Sequence, residues 1–547
     1  MAVMFGMRDS SRSRGLATVV CVLLTYLLLA LFLAWVQEHS DYETEYLGLG
    51  SLALRGEVGL YDDDLTGQWV PLPFYFYGVS QLLFGPNLLL GRLMSVAVGA
   101  AVLVLMFVMA TRWAGPLAGV VACALFSTHG LVLGYFSTVH FSGIVALLHL
   151  AGIYVLFCTD WRRRDLVAMA VWSILFLAKP NYWVTIPFVW VFLVWQAGSL
   201  RRRLVLTAMV LAIPAIFFAS DRTHLKLLAY VPILQDWVSS MGYYPWHTQI
   251  EDMNDLGSDY TTVSWGTSLR DQIVGVPGAV GLYLKRYAVW LLTLAGLLFL
   301  SAWQKRRAPA QAARLPEPAG LRFCFALYCF LLAAQFVVLG PMRRNVFAYM
   351  GAVAPLLAIG IGCVFARVWE HPPTSRLARR GAVAAMIMAL AVSPWLHRHH
   401  NLPRVISLSS APIPALQRTA DRLSALIPAG EARIFSLADP LPIYLAGRRV
   451  YLRQAQQHKF VFTSIRNPTR ARRIGIWGPT DMERWLGSDA QYAVIQSTTV
   501  DFYRARAKYG AIVAEVDALL AKNFVLLETF AVEGDGTLSV YRRRLPG

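Results

Sequence analysis

Apolar stretches of membrane-crossing length recur through the first ~400 residues of this chain, and that recurrence restricts its fold more than any motif does. A helix needs about 20 such residues to cross the hydrocarbon of a bilayer. On that measure there are about 11 spans, near 16–37, 88–110, 116–135, 140–158, 166–179, 181–197, 203–220, 281–303, 320–340, 345–368 and 380–396. The fifth is short and ends at Lys179-Pro180. Composition agrees: hydrophobic residues make up 56% of the chain and charged residues 15%, the latter well below the roughly 25% usual in soluble domains. The expectation is a polytopic α-helical membrane protein. Its first apolar run is too long for a signal-peptide core, and Trp35-Val36-Gln37 offers no small-residue cleavage site, so it reads as a retained span.

The net charge of +18 invites a nucleic-acid reading. Its distribution points elsewhere. Basic clusters fall between apolar segments, at Arg112, Arg162 to Arg164, Arg201 to Arg203, Lys305 to Arg307 with Arg314 and Arg322, and Arg376, Arg379 and Arg380. With a cytoplasmic N-terminus, which Arg8, Arg12 and Arg14 favour, alternation puts every cluster inside. Setting topology is therefore their simplest role, and nucleic acid is not an expected partner. The six cysteines lie in or beside apolar segments with no CxxC pair, so neither a disulfide framework nor a thiolate zinc site is expected. The outward segments lack a permitted Asn-x-Ser/Thr, which is compatible with a bacterial protein.

The same alternation makes two long loops outward, 38–87 and 221–280. Loops of that length are usually functional. The first opens with Glu38-His39-Ser40-Asp41-Tyr42-Glu43-Thr44-Glu45-Tyr46, an acidic run emerging at the outer membrane surface. It also carries an aromatic belt (Trp69, Phe74 to Tyr77) suited to helices lying in the interface. Domain organisation reads as 1–396, the membrane domain with these two loops, and 397–547, an extracytoplasmic α/β domain. The latter has strand-like runs at 433–436, 449–452, 460–462 and 492–495. Helical spacing covers 416–426 and 507–520, and Asp535-Gly536 signals a terminal hairpin.

Asp41 and Glu45, four apart, share a helix face while Glu43 points elsewhere. One of the three acids suits a general base that deprotonates an acceptor hydroxyl; solvated charge favoured by a helix N-terminus is the alternative. Outward cations include Arg55, Arg92, Lys179, Arg222, Lys226, Arg270, Lys285, Arg286, Arg343 and Arg344, against the charge rule. Arg343-Arg344, in a tight turn between two spans, and Lys179, at a Lys-Pro break, are placed to hold a lipid phosphate, or to anchor headgroups. Asp62 to Asp64 offers oxygen ligands to a divalent cation, or is a solvated acidic turn. His397, His399 and His400 read as an interfacial flank. No metal site and no firm cofactor is assigned. No nucleotide-binding loop, nucleophile elbow or HExxH motif is present.

The acidic first loop after span one, Tyr46, Leu83-Phe84-Gly85-Pro86 and Gly91-Arg92-Leu93 opening span two resemble the glycosyltransferase-C superfamily. More narrowly they resemble its bacterial branch of aminoarabinose transferases and protein O-mannosyltransferases. The layout of the whole chain fits, and the motifs are specific in the first ~100 residues. The resemblance implies an inner-membrane enzyme that moves a sugar from a polyprenyl-phosphate donor to a lipid, glycan or protein acceptor on the outer side. It implies Asp41 or Glu43 as base, with Arg92 and Tyr46 in the substrate site. Family members commonly read Asp-Glu-x-x-Tyr; here Tyr42-Glu43-Thr44-Glu45-Tyr46 has its aspartate one position early. The family's Lys-Pro-Pro is replaced by Trp69-Val70-Pro71-Leu72-Pro73, which moves phosphate binding to other cations. The competing readings are a transporter or flippase of lipid-linked intermediates, which would bury ionisable groups mid-span, and a non-catalytic assembly partner.

Overall fold

The computed structural model is mostly helical and describes residues 9–37, 41–61, 70–230, 269–307, 318–339, 349–370, 376–395, 412–430, 433–455, 477–505, 507–532 and 536–544, with single positions 234, 237, 240, 469 and 472 between them. Helix α1 (Asp9–Val36) precedes a short α2 (Asp41–Thr44), a π-turn over Glu45–Leu49 and α3 (Gly50–Leu54). Next come α4 (Pro71–Phe84), α5 (Leu88–Ala114), α6 (Pro116–Thr128), α7 (Gly130–Ser137) and α8 (Phe141–Cys158). Then follow α9 (Arg164–Ser173), α10 (Thr185–Gln196), α11 (Leu200–Ser220), α12 (Leu269–Arg307), α13 (Ala319–Leu339), α14 (Ala354–Glu370) and α15 (Arg376–Val392).

Among the described residues five helices are long and apolar enough to cross a membrane: Leu88–Ala114, Phe141–Cys158, Leu200–Ser220, Val276–Trp303 and Ala319–Phe336. The pair α6 and α7, bent by 75°, makes a sixth if it is one broken span. The segments expected at 166–179 and 181–197 are shorter helices, α9 with 10 residues and α10 with 12. Two 3-10 turns, Ile174–Leu177 and Pro180–Tyr182, separate them. The break has a local cause. Proline disfavours helical backbone at the residue before it, and Lys179 is extended at φ −168, ψ 129.

The chain divides into two compact units that do not follow its linear order. One comprises Met1–Gln37, Leu93–Ala215 and Leu269–Leu408; the other comprises Glu38–Arg92, Ile216–Ser268 and Ser409–Gly547. In the first, α14 is buried without interruption from Ala354 to Ala366. A helix apolar on all sides belongs at the centre of a bundle. By contrast, only 6% of the apolar window of α11 is covered by protein, as expected for a helix facing lipid.

The second unit contains a four-stranded sheet, with helices α16 (Pro412–Leu426), α17 (Pro440–Leu445), α18 (Pro479–Arg484), α19 (Ser497–Arg504) and α20 (Ala507–Asn523). Strands β1 (Ile434–Leu437), β2 (Tyr492–Gln496), β3 (Phe524–Ala531) and β4 (Thr537–Arg543) lie in the order β1-β2-β4-β3. The β1–β2 pair is parallel, and the other two pairs are antiparallel. β2 is buried from Ala493 to Gln496 because helices cover both faces. Leu423, Ile427 and Ile443 pack with Val494 on one side, and Trp485, Val513 and Val516 with Ala493 on the other. The expected strand at 449–452 contributes a single bridge, Val450 to Ile434. The run at 460–462 lies outside the described residues.

Candidate active site

Asp41 opens α2, and its side chain lies outside the described residues. Glu43, one of the two expected bases, is fully buried and accepts Arg92 Nε and Nη2 at 2.8 Å each. Arg92 is equally buried. Forked, charge-assisted pairing of this kind offsets the large desolvation cost of placing two charges out of water. Arg92, expected to meet substrate, thus grips the acidic helix. Glu45 and Tyr46 are also buried. Tyr46 packs edge-on to Phe74 with centroids 4.9 Å apart and stacks on Tyr77 at 6.1 Å. Its place is against α4, the helix built from the aromatic belt.

Two glycines set how closely α3 and α4 cross. A Cβ on Gly50 would stand 2.1 Å from the Phe74 carbonyl oxygen, and one on Gly78 would stand 2.4 Å from the Gly50 carbonyl carbon. Both contacts are with backbone, which cannot swing aside. The crossing therefore requires hydrogen at both positions. Sequence reasoning passed over this pair; its one available signal was glycine inside helical stretches that otherwise favour side chains. Between α2 and α3 the helix widens into the π-turn Glu45–Leu49. Such one-turn bulges concentrate at functional sites.

The start of the second long loop is tied to the first. Lys226 Nζ donates to the Tyr61 carbonyl oxygen at 2.6 Å. The Tyr61 ring meets His224 at 4.7 Å and Phe217 at 5.7 Å, and burial pushes its phenol well above the ordinary value. Asp221 caps this turn: the Thr223 N–H donates to it at 2.8 Å and holds its carboxyl below the usual range.

A half-open cavity of about 460 Å³ runs along α2, the π-turn and α3. Thr44, Gly48, Ser51 and Arg55 form one wall, and Ile443 and Tyr444 of α17 belong to the other. The spacing of the first four follows one face of a helix. Tyr444 Oη is 3.4 Å from the Leu47 carbonyl oxygen and 3.4 Å from Gln81 Oε1. Burial pushes its phenol up to about 12. At the rim, Glu57 pairs with Arg449 and stands 3.9 Å from Arg55. No motif marks Tyr444 in the sequence.

Lys179 belongs to the first compact unit. It is 8% exposed, and its ammonium lies 4.6 Å from the Phe141 centroid and 5.5 Å from that of Tyr349. Aromatic faces attract a cation through the ring quadrupole. Tyr349 is itself fixed by the Tyr182 hydroxyl, which donates to its carbonyl oxygen. Arg343, Arg344, Asp62 to Asp64, and His397, His399 and His400 lie outside the described residues. Among the described residues no cluster of three or more His, Cys, Asp or Glu could hold a metal ion.

No family model and no curated protein matches this chain. Solved structures do. ArnT from Cupriavidus metallidurans bound to undecaprenyl phosphate matches with a TM-score of 0.54 at 13% identity, covering 95% of this chain and 97% of that one. The same protein in the apo state gives 0.53 at 14% identity, over 97% and 98%. The chain shares the fold of ArnT. Within that fold, the acidic helix after the first apolar helix, the Lys-Pro break and the C-terminal sheet all occupy described residues of this chain. The likeness is one of architecture, spanning nearly the full length of both proteins.

Proposed function

We propose that this chain is an integral membrane glycosyltransferase that moves a sugar from a polyprenyl-phosphate donor to a lipid, glycan or protein acceptor on the extracytoplasmic side. Asp41 is the general base and takes the proton of the acceptor hydroxyl. The acceptor oxygen then bonds to the sugar's anomeric carbon as the bond to the phosphate oxygen breaks, inverting that carbon. Polyprenyl phosphate leaves with the electron pair, and Lys179, Arg343 and Arg344 stabilise its charge. Phosphate is a good leaving group, so no separate acid is required. The 460 Å³ cavity along the acidic helix takes part of the acceptor, and the C-terminal α/β domain helps to select it.

The observation that supports this reading best is the ArnT fold over 95% of the chain together with an acidic helix directly after the first apolar helix. Glu43 is committed to Arg92, which turns the choice between the two acids towards Asp41. The test is transfer from a polyprenyl-phosphate sugar by Asp41→Asn and Glu43→Gln proteins in detergent. Asp41→Asn should fold as wild type and lose about 10²-fold or more in rate; Glu43→Gln should lose stability first. Full transfer by Asp41→Asn rejects the base assignment. Lipid translocation without transfer by the wild type would favour a flippase.

A further inference from the structure

Three of the basic clusters that sequence alone assigns to topology meet, in the first compact unit, around one polar cavity of about 930 Å³. It is lined where α5, α8 and α10 end and where α9, α11 and α13 begin. Six helix ends converging in this way place it at one face of the helical bundle, at headgroup depth rather than in the hydrocarbon. Its charged lining is Arg112, Arg162, Arg164 and Arg202 against Asp160 and Asp165, an excess of two positive charges.

The two acids are not equivalent. Asp165 is taken by Arg202, with Nε at 2.6 Å and Nη2 at 2.5 Å. Asp160 is 94% exposed and stands 3.9 Å from Arg112, a loose and solvated pairing. Arg164 gives only Nη1 to the Thr159 carbonyl oxygen, at 3.1 Å. Arg162 has no hydrogen-bond or ion-pair partner among the described residues. Two guanidinium forks therefore stand at one cavity with donors to spare. Trp113 and Trp161 line the same cavity, and Trp161 is 57% exposed. Indole rings at a helix end mark the level of lipid headgroups.

We propose that this cavity binds the phosphodiester headgroup of an anionic phospholipid, with Arg162 and Arg164 on the phosphate and Trp161 against the glycerol region. A phosphodiester is planar enough in its two free oxygens to take a guanidinium fork. Basic pockets between membrane helices hold anionic headgroups in this way. The excess positive charge sets the leaflet too: by the positive-inside rule it is the cytoplasmic one. The site is independent of the transferase reading and would stand if that reading fell.

Native mass spectrometry of the full chain in detergent, with phosphatidylglycerol and phosphatidylcholine of matched chains in equal amounts, tests the proposal. Wild type should retain one phosphatidylglycerol in preference, and Arg162→Gln/Arg164→Gln should lower that preference about tenfold or more. Arg162→Gln alone provides a milder variant should the double one fold poorly, and it should give a partial loss. Arg322→Gln changes a neighbouring arginine that does not line the cavity and should keep the preference. Unchanged selectivity in the double variant overturns the proposal. So does an equal loss in Arg322→Gln, which would mean a diffuse field instead of a site. Displacement of the lipid by glycerol 3-phosphate at matched concentration would also overturn it, by assigning the cavity to a soluble phosphate.

Discussion

Arg92 and the arginines of the polar cavity carry the same guanidinium into opposite surroundings. Arg92 is fully buried with its fork closed on Glu43. Arg112 stays half exposed with only a loose pairing to Asp160, and Arg162 has no partner among the described residues. The first arrangement converts charge into position: it pins the start of α5 to the acidic helix. The second leaves charge in reserve for something that is not part of the chain. A cation count sees no difference between them. Burial and the number of engaged donors separate a brace from a receptor.

The largest expected effect comes from breaking the brace. Arg92→Met should destabilise the protein by about 3–5 kcal/mol, because it leaves the Glu43 carboxylate buried without its fork. Thermal unfolding in detergent would register this, and Glu43→Gln/Arg92→Met should recover part of the loss. A double variant no better than the single one would mean that the pair does not act as a unit. Next is Gly50→Ala, whose Cβ would meet the Phe74 carbonyl oxygen at 2.1 Å. Overpacking of that kind costs about 1–3 kcal/mol, and here the outcome should lie at the upper end since backbone meets backbone.

On the receptor side the scale falls. Arg202→Gln removes a pair that is 45% and 15% exposed, so a loss within about 1 kcal/mol is expected. A loss as large as that of Arg92→Met would erase the contrast. The smallest effect is at Tyr444, whose folded-state phenol is pushed to about 12 from 10.0. Raised in the fold, it holds its proton where the unfolded chain releases it. Its contribution is therefore complete below pH 10 and is lost as pH rises through 10 towards 12. Tyr444→Phe should flatten that alkaline slope of stability while changing neutral-pH stability by about 1 kcal/mol or less.

Local signals carried a good part of this architecture. The strand read at 433–436 is β1 at Ile434–Leu437, the run at 492–495 is β2, and the Asp535-Gly536 signal falls between β3 and β4. These depend on neighbours in sequence. The Glu43–Arg92 pair joins residues 49 apart, and no periodicity links them, so Glu43 looked as available as Asp41. Span counting met a similar limit: it tracks hydropathy, which runs straight through Lys179-Pro180, whereas helix continuity fails there. The arginines at 112, 162, 164 and 202 were each legible as loop charge. Their meeting at one cavity is a property of how helices end together, which no single segment records.

The wide turn at Glu45–Leu49 has one more consequence. Relative to an unbroken α-helix it holds one extra residue, and each residue advances a helix by about 100°. Shortening this segment by a single codon would leave every side chain of the acidic helix in place by composition, yet swing Gly50 off its seat on Gly78. The insertion acts as a phase adjuster, letting the front half of the rod keep Glu43 on Arg92 while the rear half keeps its crossing.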